Sequence, residues 1–208
     1  MVQVAKEHGC GWMVGVHPWW AESPSVDRLL ERLQELPLPH GLGECGLDYA
    51  RARTPTARER QHDVLRRQLV VAAERDLPVA LHCVRAWHVL REEVRAFGVR
   101  GLVHAWTGGA PQTREVLRLG LHVCVGPDVL RSAKARSGLA EVPLDSLLLE
   151  SDAPDRPVPG EQQGEPAHLG VVARAVAHVR GESVARVLSV TGDNARRLLD
   201  YSSSWASS

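Results

Sequence analysis

Short apolar runs recur along this chain, and five of them lead into a histidine or a carboxylate. They are Gly-Val-His17-Pro, Gly-Leu-Gly-Glu44-Cys-Gly-Leu-Asp48, Val-Ala-Leu-His82, Gly-Leu-Val-His104 and Leu-Leu-Leu-Glu150-Ser-Asp152. Runs that are apolar on both faces, rather than alternating, suit strands covered on both sides, as in a parallel sheet under helices. Polar residues at the carboxyl ends of successive parallel strands describe the active-site face of a β/α barrel. The repetition therefore points to an α/β chain of the TIM type, with its chemistry gathered at one end of the strands.

Six segments read as strands: 12–16, 41–45, 78–82, 101–105, 121–125 and 146–150. Between them, 25–36 places Val26, Leu29, Leu30 and Leu33 at helical spacing, and 58–75 does the same with Val64, Leu65, Leu69, Ala72 and Ala73. The segment 111–119 opens on a proline suited to a first helical turn and stops at Gly120, and Gly181 divides two further helices at 167–180 and 182–199. Pro154, Pro157 and Pro159, with Gly160 behind them, mark a long loop after Asp152, expected over the mouth of the site. With no linker-like stretch, residues 1–201 read as a single domain and 202–208 as a polar tail.

Composition narrows the function. A chain of 208 residues, 44% hydrophobic and 24% charged, is long enough for one sizeable core. Basic and acidic residues balance at 25 each, so no overall field draws nucleic acid or an anionic membrane, and a phosphate substrate must be held locally. Cys10, Cys45, Cys83 and Cys124 form no Cys-x-x-Cys pair and read as reduced, structural thiols. No run approaches the roughly 18 apolar residues of a membrane span, and the opening residues lack the basic and apolar regions of a signal peptide. The expectation is a cytoplasmic protein with no membrane association and no obligate protein partner.

Taken in order, Gly-Val-His17-Pro, Gly-Glu44-Cys-Gly-Leu-Asp48-Tyr49, Leu-Pro-Val-Ala-Leu-His82, Val-His104-Ala-Trp-Thr-Gly108, Leu-Glu150-Ser-Asp152-Ala-Pro154 and a late Asn194-Ala-Arg-Arg-Leu-Leu resemble the TatD family of metal-dependent hydrolases. The resemblance runs from about Gly15 to Leu199. It implies a TIM-type (β/α) barrel carrying one or two divalent ions (Mg, Mn or Zn) and hydrolysing phosphodiesters, with deoxyribonuclease activity as the usual family label and DNA as the usual substrate. Position by position, it makes Glu44 a metal ligand able to bridge two ions, His82 and His104 the imidazole ligands of one ion, and Asp152 a carboxylate on the other. Asp152 is also the catalytic group placed to take a proton from the attacking water.

The chain departs from the family at its start. Members open with a strand bearing His-x-His, and no His-x-His occurs in these 208 residues. The expectation is a barrel truncated at its N-terminus to about six of eight strands, with Glu44, His82 and His104 still able to form one site. Each residue also has an ordinary reading. Glu44 suits a solvated strand end, His82 and His104 suit satisfied core histidines, and Asp152 suits a turn cap. His17 divides evenly between contacting substrate phosphate and orienting the Pro18-Trp19-Trp20 turn. Arg85 is placed to counter phosphate charge, and Trp19, Trp20, Trp87 and Trp106 suit either base stacking or packing. Two other readings stand beside the hydrolase of phosphodiesters: a scaffold with a partial metal site and impaired turnover, and an amidohydrolase acting on a carbon centre. The second commonly needs a carboxylated lysine at a strand end, and Lys6 and Lys134, the only lysines, end no strand run.

Overall fold

The computed structural model describes residues 10–35 and 40–199. The polar tail expected at 202–208 and the opening segment read for a signal peptide lie outside the described residues. Six strands, β1 (Met13–Val14), β2 (Gly41–Asp48), β3 (Val79–Val84), β4 (Gly101–Val103), β5 (His122–Val125) and β6 (Leu147–Leu149), follow one another in chain order in one open sheet. The pairings of β1 with β2, β2 with β3 and β5 with β6 are all parallel. Among the described residues seven α-helices accompany them: α1 (Val26–Glu35), α2 (Pro55–Glu74), α3 (Trp87–Phe97), α4 (Ala110–Arg118), α5 (Ala133–Leu139), α6 (Leu169–Arg180) and α7 (Val184–Leu198). Sequence and structure agree on the six strands. The differences lie in length, β2 running on to Asp48 and β3 to Val84, and in two helices that the sequence reading did not single out, α3 and α5.

Contacts group the chain into two compact units, one made of residues up to Leu102 with the segment from Arg196, the other of Val103–Ala195. In the first, Leu42, Cys45 and Leu47 of β2 and Val79 and Leu81 of β3 are wholly buried, together with Leu65 and Leu69 of α2 and Leu90 of α3. α2 begins with Thr54 capping the Ala57 N–H and a proline in its first turn, an N-terminus that orphan backbone donors favour. α3 ends at Gly98, whose left-handed φ of 61° gives the helix its stop.

In the second unit Val123 and Leu147 pair across β5 and β6, and Val116, Leu121, Val172, Ala173, Val176 and Val187 are buried. Asn194, fully buried, donates through Nδ2 to the carbonyls of Leu144 and Leu147 at 2.8 Å each, fixing the entry to β6. That gives the late Asn194 motif a structural task.

Two buried glutamines of α2 hold the end of β1. Gln68 accepts from the Val16 N–H at 2.7 Å and donates to the Val16 carbonyl at 3.0 Å, so one amide serves both backbone groups as a neighbouring strand would. Gln61 accepts from the Asp48 N–H at 2.8 Å and donates to the Pro18 carbonyl at 3.1 Å. Gln61 and Gln68 are spaced to share one helix face. The two bracket His17 between Val16 and Pro18.

Candidate metal centres and the wall beside them

The register of β2 on β3 builds the first cluster. Gly46 lies opposite His82, and Glu44 and Asp48, two residues to either side of it, flank the imidazole. A Cβ on Gly46 would come within 2.0 Å of the His82 carbonyl, which is why only glycine fits there. Pairing slips by one residue between Gly43 and Cys45, a bulge of the kind that re-aims a side chain. Nδ1 of His82 is 3.5 Å from Glu44 Oε2, and Nε2 is 3.4 Å from Asp48 Oδ2.

The two carboxylates differ. Asp48 has 5% of its side chain exposed and Glu44 35%. Burial works to raise the Asp48 carboxyl, but the Trp19 indole N–H, the Arg51 and Ala50 backbone N–H groups and the charge of His82 outweigh it and hold the pKa below the ordinary value. Asp48 is thus an ionised anchor behind the ring, and Glu44 an open carboxylate before it.

Nε2 of His17 lies 3.2 Å from His82 Nδ1 and 3.6 Å from Glu44 Oε2. The three atoms converge at separations of 3.2 to 3.6 Å, and Nδ1 of His82 and Oε2 of Glu44, 3.5 Å apart, lie near the spacing of roughly 3.3–3.4 Å between donors on one tetrahedral ion with bonds of about 2.0–2.1 Å. The tautomers divide their roles. His17 Nδ1 accepts the Trp19 backbone N–H at 3.2 Å, so the neutral ring carries its proton on Nε2 and faces the same point as a hydrogen-bond donor. His82 has Asp48 Oδ2 at 3.4 Å from its Nε2 and turns Nδ1 toward Glu44. A histidine held by a carboxylate on one nitrogen is the usual setting of a metal-ligating imidazole.

The second unit repeats this arrangement. His104, just past β4, has Nδ1 at 2.9 Å from Glu150 Oε2 and Nε2 at 3.7 Å from Asp152 Oδ1. Glu150 also accepts the Ala105 N–H at 2.7 Å, so its carboxylate is fixed at both oxygens. Asp152 faces Arg156 through its other oxygen at 3.6 Å, and Arg156 reaches Asp128 at 3.2 Å. Arg131 holds the Arg156 segment by donating to the Pro157 carbonyl at 2.7 Å. Ala105 and Asp152 both take left-handed backbone, φ 44° and 50°, a conformation that costs non-glycine residues and gathers at functional sites.

The structure thus brings Glu44 and His82 together with His17, and His104 and Asp152 together with Glu150. The sequence reading placed His104 on the ion of Glu44 and His82; its adjacent carboxylates in the structure are Glu150 and Asp152. Arg85 stands exposed after β3 in left-handed backbone, φ 56°. Asp48 and Glu150 were quoted within motifs but given no role. The signal was present in their spacing, since Glu44 with Asp48 and Glu150 with Asp152 fall on one face of an extended chain. Gln61, Gln68 and Arg156 were not read at all.

Burial pushes Cys45, beside Glu44, and Cys83 up to about 12, and pushes Cys124 well above its ordinary value, so all three stay protonated at neutral pH. Among the described residues no helix is long and apolar enough to cross a membrane.

The sequence model of the TatD related DNase family matches residues 1–200. The protein named 3'-5' ssDNA/RNA exonuclease TatD from Erwinia tasmaniensis is 33% identical over 215 residues, covering 96% of this chain and 82% of its own. Its namesake from Rahnella sp. is 34% identical over 216 residues, covering 96% and 81%. Among solved structures, YJJV, a TatD homolog from Escherichia coli K12, superposes with a TM-score of 0.84 at 30% identity, over 96% of this chain and 81% of that one. A TatD family hydrolase from Entamoeba histolytica, at 18% identity, shares the fold with a TM-score of 0.79 over 95% and 79%.

Proposed function

The chain belongs to the TatD related DNase family and is a metal-dependent hydrolase of that kind, and from this premise we propose that it opens phosphodiester bonds in single-stranded nucleic acid, the substrate class in its relatives' names. The observation that supports this reading is the repeated setting of an imidazole between two carboxylates, His82 between Glu44 and Asp48 and His104 between Glu150 and Asp152. Glu44 with Nδ1 of His82 would hold one divalent ion, and Asp152 with Nε2 of His104 another. Mixed nitrogen and oxygen donors suit Zn or Mn better than Mg.

A bound ion supplies a water acidified to a pKa near 7 and a polarised phosphoryl oxygen. The side chains supply the rest. The Nε2–H of His17 donates to a non-bridging phosphate oxygen, which assigns it the substrate role rather than the turn alone. Asp152, its second oxygen steadied by Arg156, accepts the proton of the attacking water. Arg85 counters the charge of the phosphate from its exposed position after β3.

The test is cleavage of a labelled single-stranded oligonucleotide by protein loaded with Mn or Zn, with bound metal measured in parallel. Chelator should stop cleavage, and His82→Ala and His104→Ala should each remove about one ion per chain and most of the activity. Undiminished cleavage by the double variant, or by protein stripped of metal, would overturn the proposal.

A further inference from the structure

Trp19, beside His17 and His82, is 49% exposed yet closely held. Its indole N–H donates to Asp48 Oδ2 at 2.6 Å, its ring meets His17 edge to face at 4.8 Å between centroids, and the Arg51 guanidinium lies over it 3.9 Å from the centroid. Asp48 also accepts the backbone N–H of Arg51 at 3.1 Å and that of Ala50 at 3.0 Å. One buried carboxylate therefore anchors both the indole and the turn that carries the guanidinium. The half-exposed indole and the guanidinium over it form one held surface.

Resting on the proposed phosphodiester reading, we infer that Trp19 and Arg51 form a nucleotide subsite, in which a nucleobase stacks on the indole and guanidinium while Arg51 pairs with the adjoining phosphate. Two observations favour this occupant. An aromatic face stacked with a cation matches a base joined to an anion, the pairing that single-strand binders use. The pair also adjoins the imidazole ring of His17, so a nucleotide seated on it has its phosphate close to the cleavage chemistry. Because a duplex keeps its bases in its own stack, the subsite selects unpaired ends.

Trp19→Ala, Trp19→Phe and Arg51→Met in the full chain, loaded with Mn, test this. The first readout is the ratio of kcat/KM for a single-stranded oligonucleotide to that for methyl 4-nitrophenyl phosphate, a diester without a base. Trp19→Ala should lower the ratio about tenfold or more, and Trp19→Phe should keep most of it, since phenyl stacks but cannot donate to Asp48. The second readout is oligonucleotide binding by fluorescence anisotropy across a salt series. Arg51→Met should weaken binding alike for all sequences and flatten the dependence of log K on log salt by about 0.7, one phosphate contact on a single strand.

If Trp19→Ala and Trp19→Phe lower both substrates equally, Trp19 only braces Asp48 and the subsite is refuted. An unchanged ratio refutes it too. Should the wild type hydrolyse neither diester with any of Mg, Mn or Zn, the phosphodiester reading falls, and anisotropy still decides the subsite, which is refuted if all three variants bind the oligonucleotide as the wild type does. If Trp19→Ala does not fold, Arg51→Met decides: an unaltered salt slope overturns the proposal and a flattened one supports it.

Discussion

Glu150 holds His104 by its Nδ1 at 2.9 Å, which leaves the Nε2 of the same ring toward Asp152 at 3.7 Å. The ring is thereby fixed in the tautomer that can ligate through Nε2. A carboxylate in this position raises the basicity of the imidazole and holds its plane, and losing such a partner typically costs 10- to 100-fold in metal affinity. Glu150→Ala should weaken Zn or Mn binding at the His104 group by about that factor, read by competition against a chelating dye. The Glu44 and His82 group should bind as before, because none of its partners is changed. Equal affinity at both groups in variant and wild type would show that Glu150 does not orient the ring.

Asp152→Asn probes proton transfer and the ion beside His104 together. An amide has nearly the same shape as the carboxylate but cannot take a proton, so kcat should fall by roughly 10²–10⁴. Metal content at Glu44 and His82 should not change. Full activity in this variant would reduce Asp152 to a backbone cap on the turn it occupies at φ 50°.

The strands were legible because parallel-sheet strands buried on both faces carry dense apolar runs, and because chemistry placed at strand ends leaves a histidine or acid at the end of each run. α3 was overlooked although Trp87, Leu90 and Val94 keep helical spacing; its start is capped by Ala86, which has no side-chain acceptor to announce it. α5 is seven residues long with Gly138 inside it, and it forms because Ser132 caps it and because Gly138 leaves no Cβ to meet the Gly108 carbonyl. Motif position named Glu44, His82, His104 and Asp152, which the structure sets in two groups of candidate ligands. The grouping of those residues was not legible, since it depends on strand register and on which ring nitrogen each carboxylate meets. The tautomer of His17 depends on one backbone N–H, that of Trp19. No residue type in the sequence encodes that.

Glu93 gives the fold a pH dependence with a definite sign. Its side chain, 6% exposed, takes Arg66 through Nε at 2.7 Å and Nη2 at 3.0 Å, and His62 through Nε2 at 2.8 Å. Burial alone would raise its pKa, but the bonds from Arg66 and His62 outweigh burial and hold the carboxyl below its ordinary value. A carboxyl lowered by folding binds its proton more readily in the unfolded chain. Its stabilisation is therefore fully present above the unfolded pKa of about 4.3 and is lost as pH falls through the lower folded value. Glu93→Gln should cost about 1–3 kcal/mol near pH 7, and the gap to wild type should close as pH falls from about 5 toward 3, read by urea unfolding. A gap that stays constant over that range would show that the Glu93 charge does not stabilise the fold.

Gln68 sets the position of His17 from a helix rather than from the sheet. β1 is only two residues long, so Val16 is fixed at its N–H and carbonyl by the Gln68 amide, in a place where Gly15 gives the amide room to approach. Gln68→Met keeps the length and volume of the side chain but removes both bonds, leaving two buried backbone groups unsatisfied at about 1–3 kcal/mol each. The expected loss is about 2–4 kcal/mol in urea unfolding. Gln68→Glu offers a contrast: it keeps the acceptor for the Val16 N–H but places a carboxylate against the Val16 carbonyl, and should be at least as destabilising near neutral pH. Because Val16 immediately precedes His17, Gln68→Met should also raise KM for phosphodiesters more than it lowers kcat, as His17 is proposed to hold substrate. A folded Gln68→Met variant with wild-type stability and an unchanged KM would show that the end of β1 is held by its strand pairing alone.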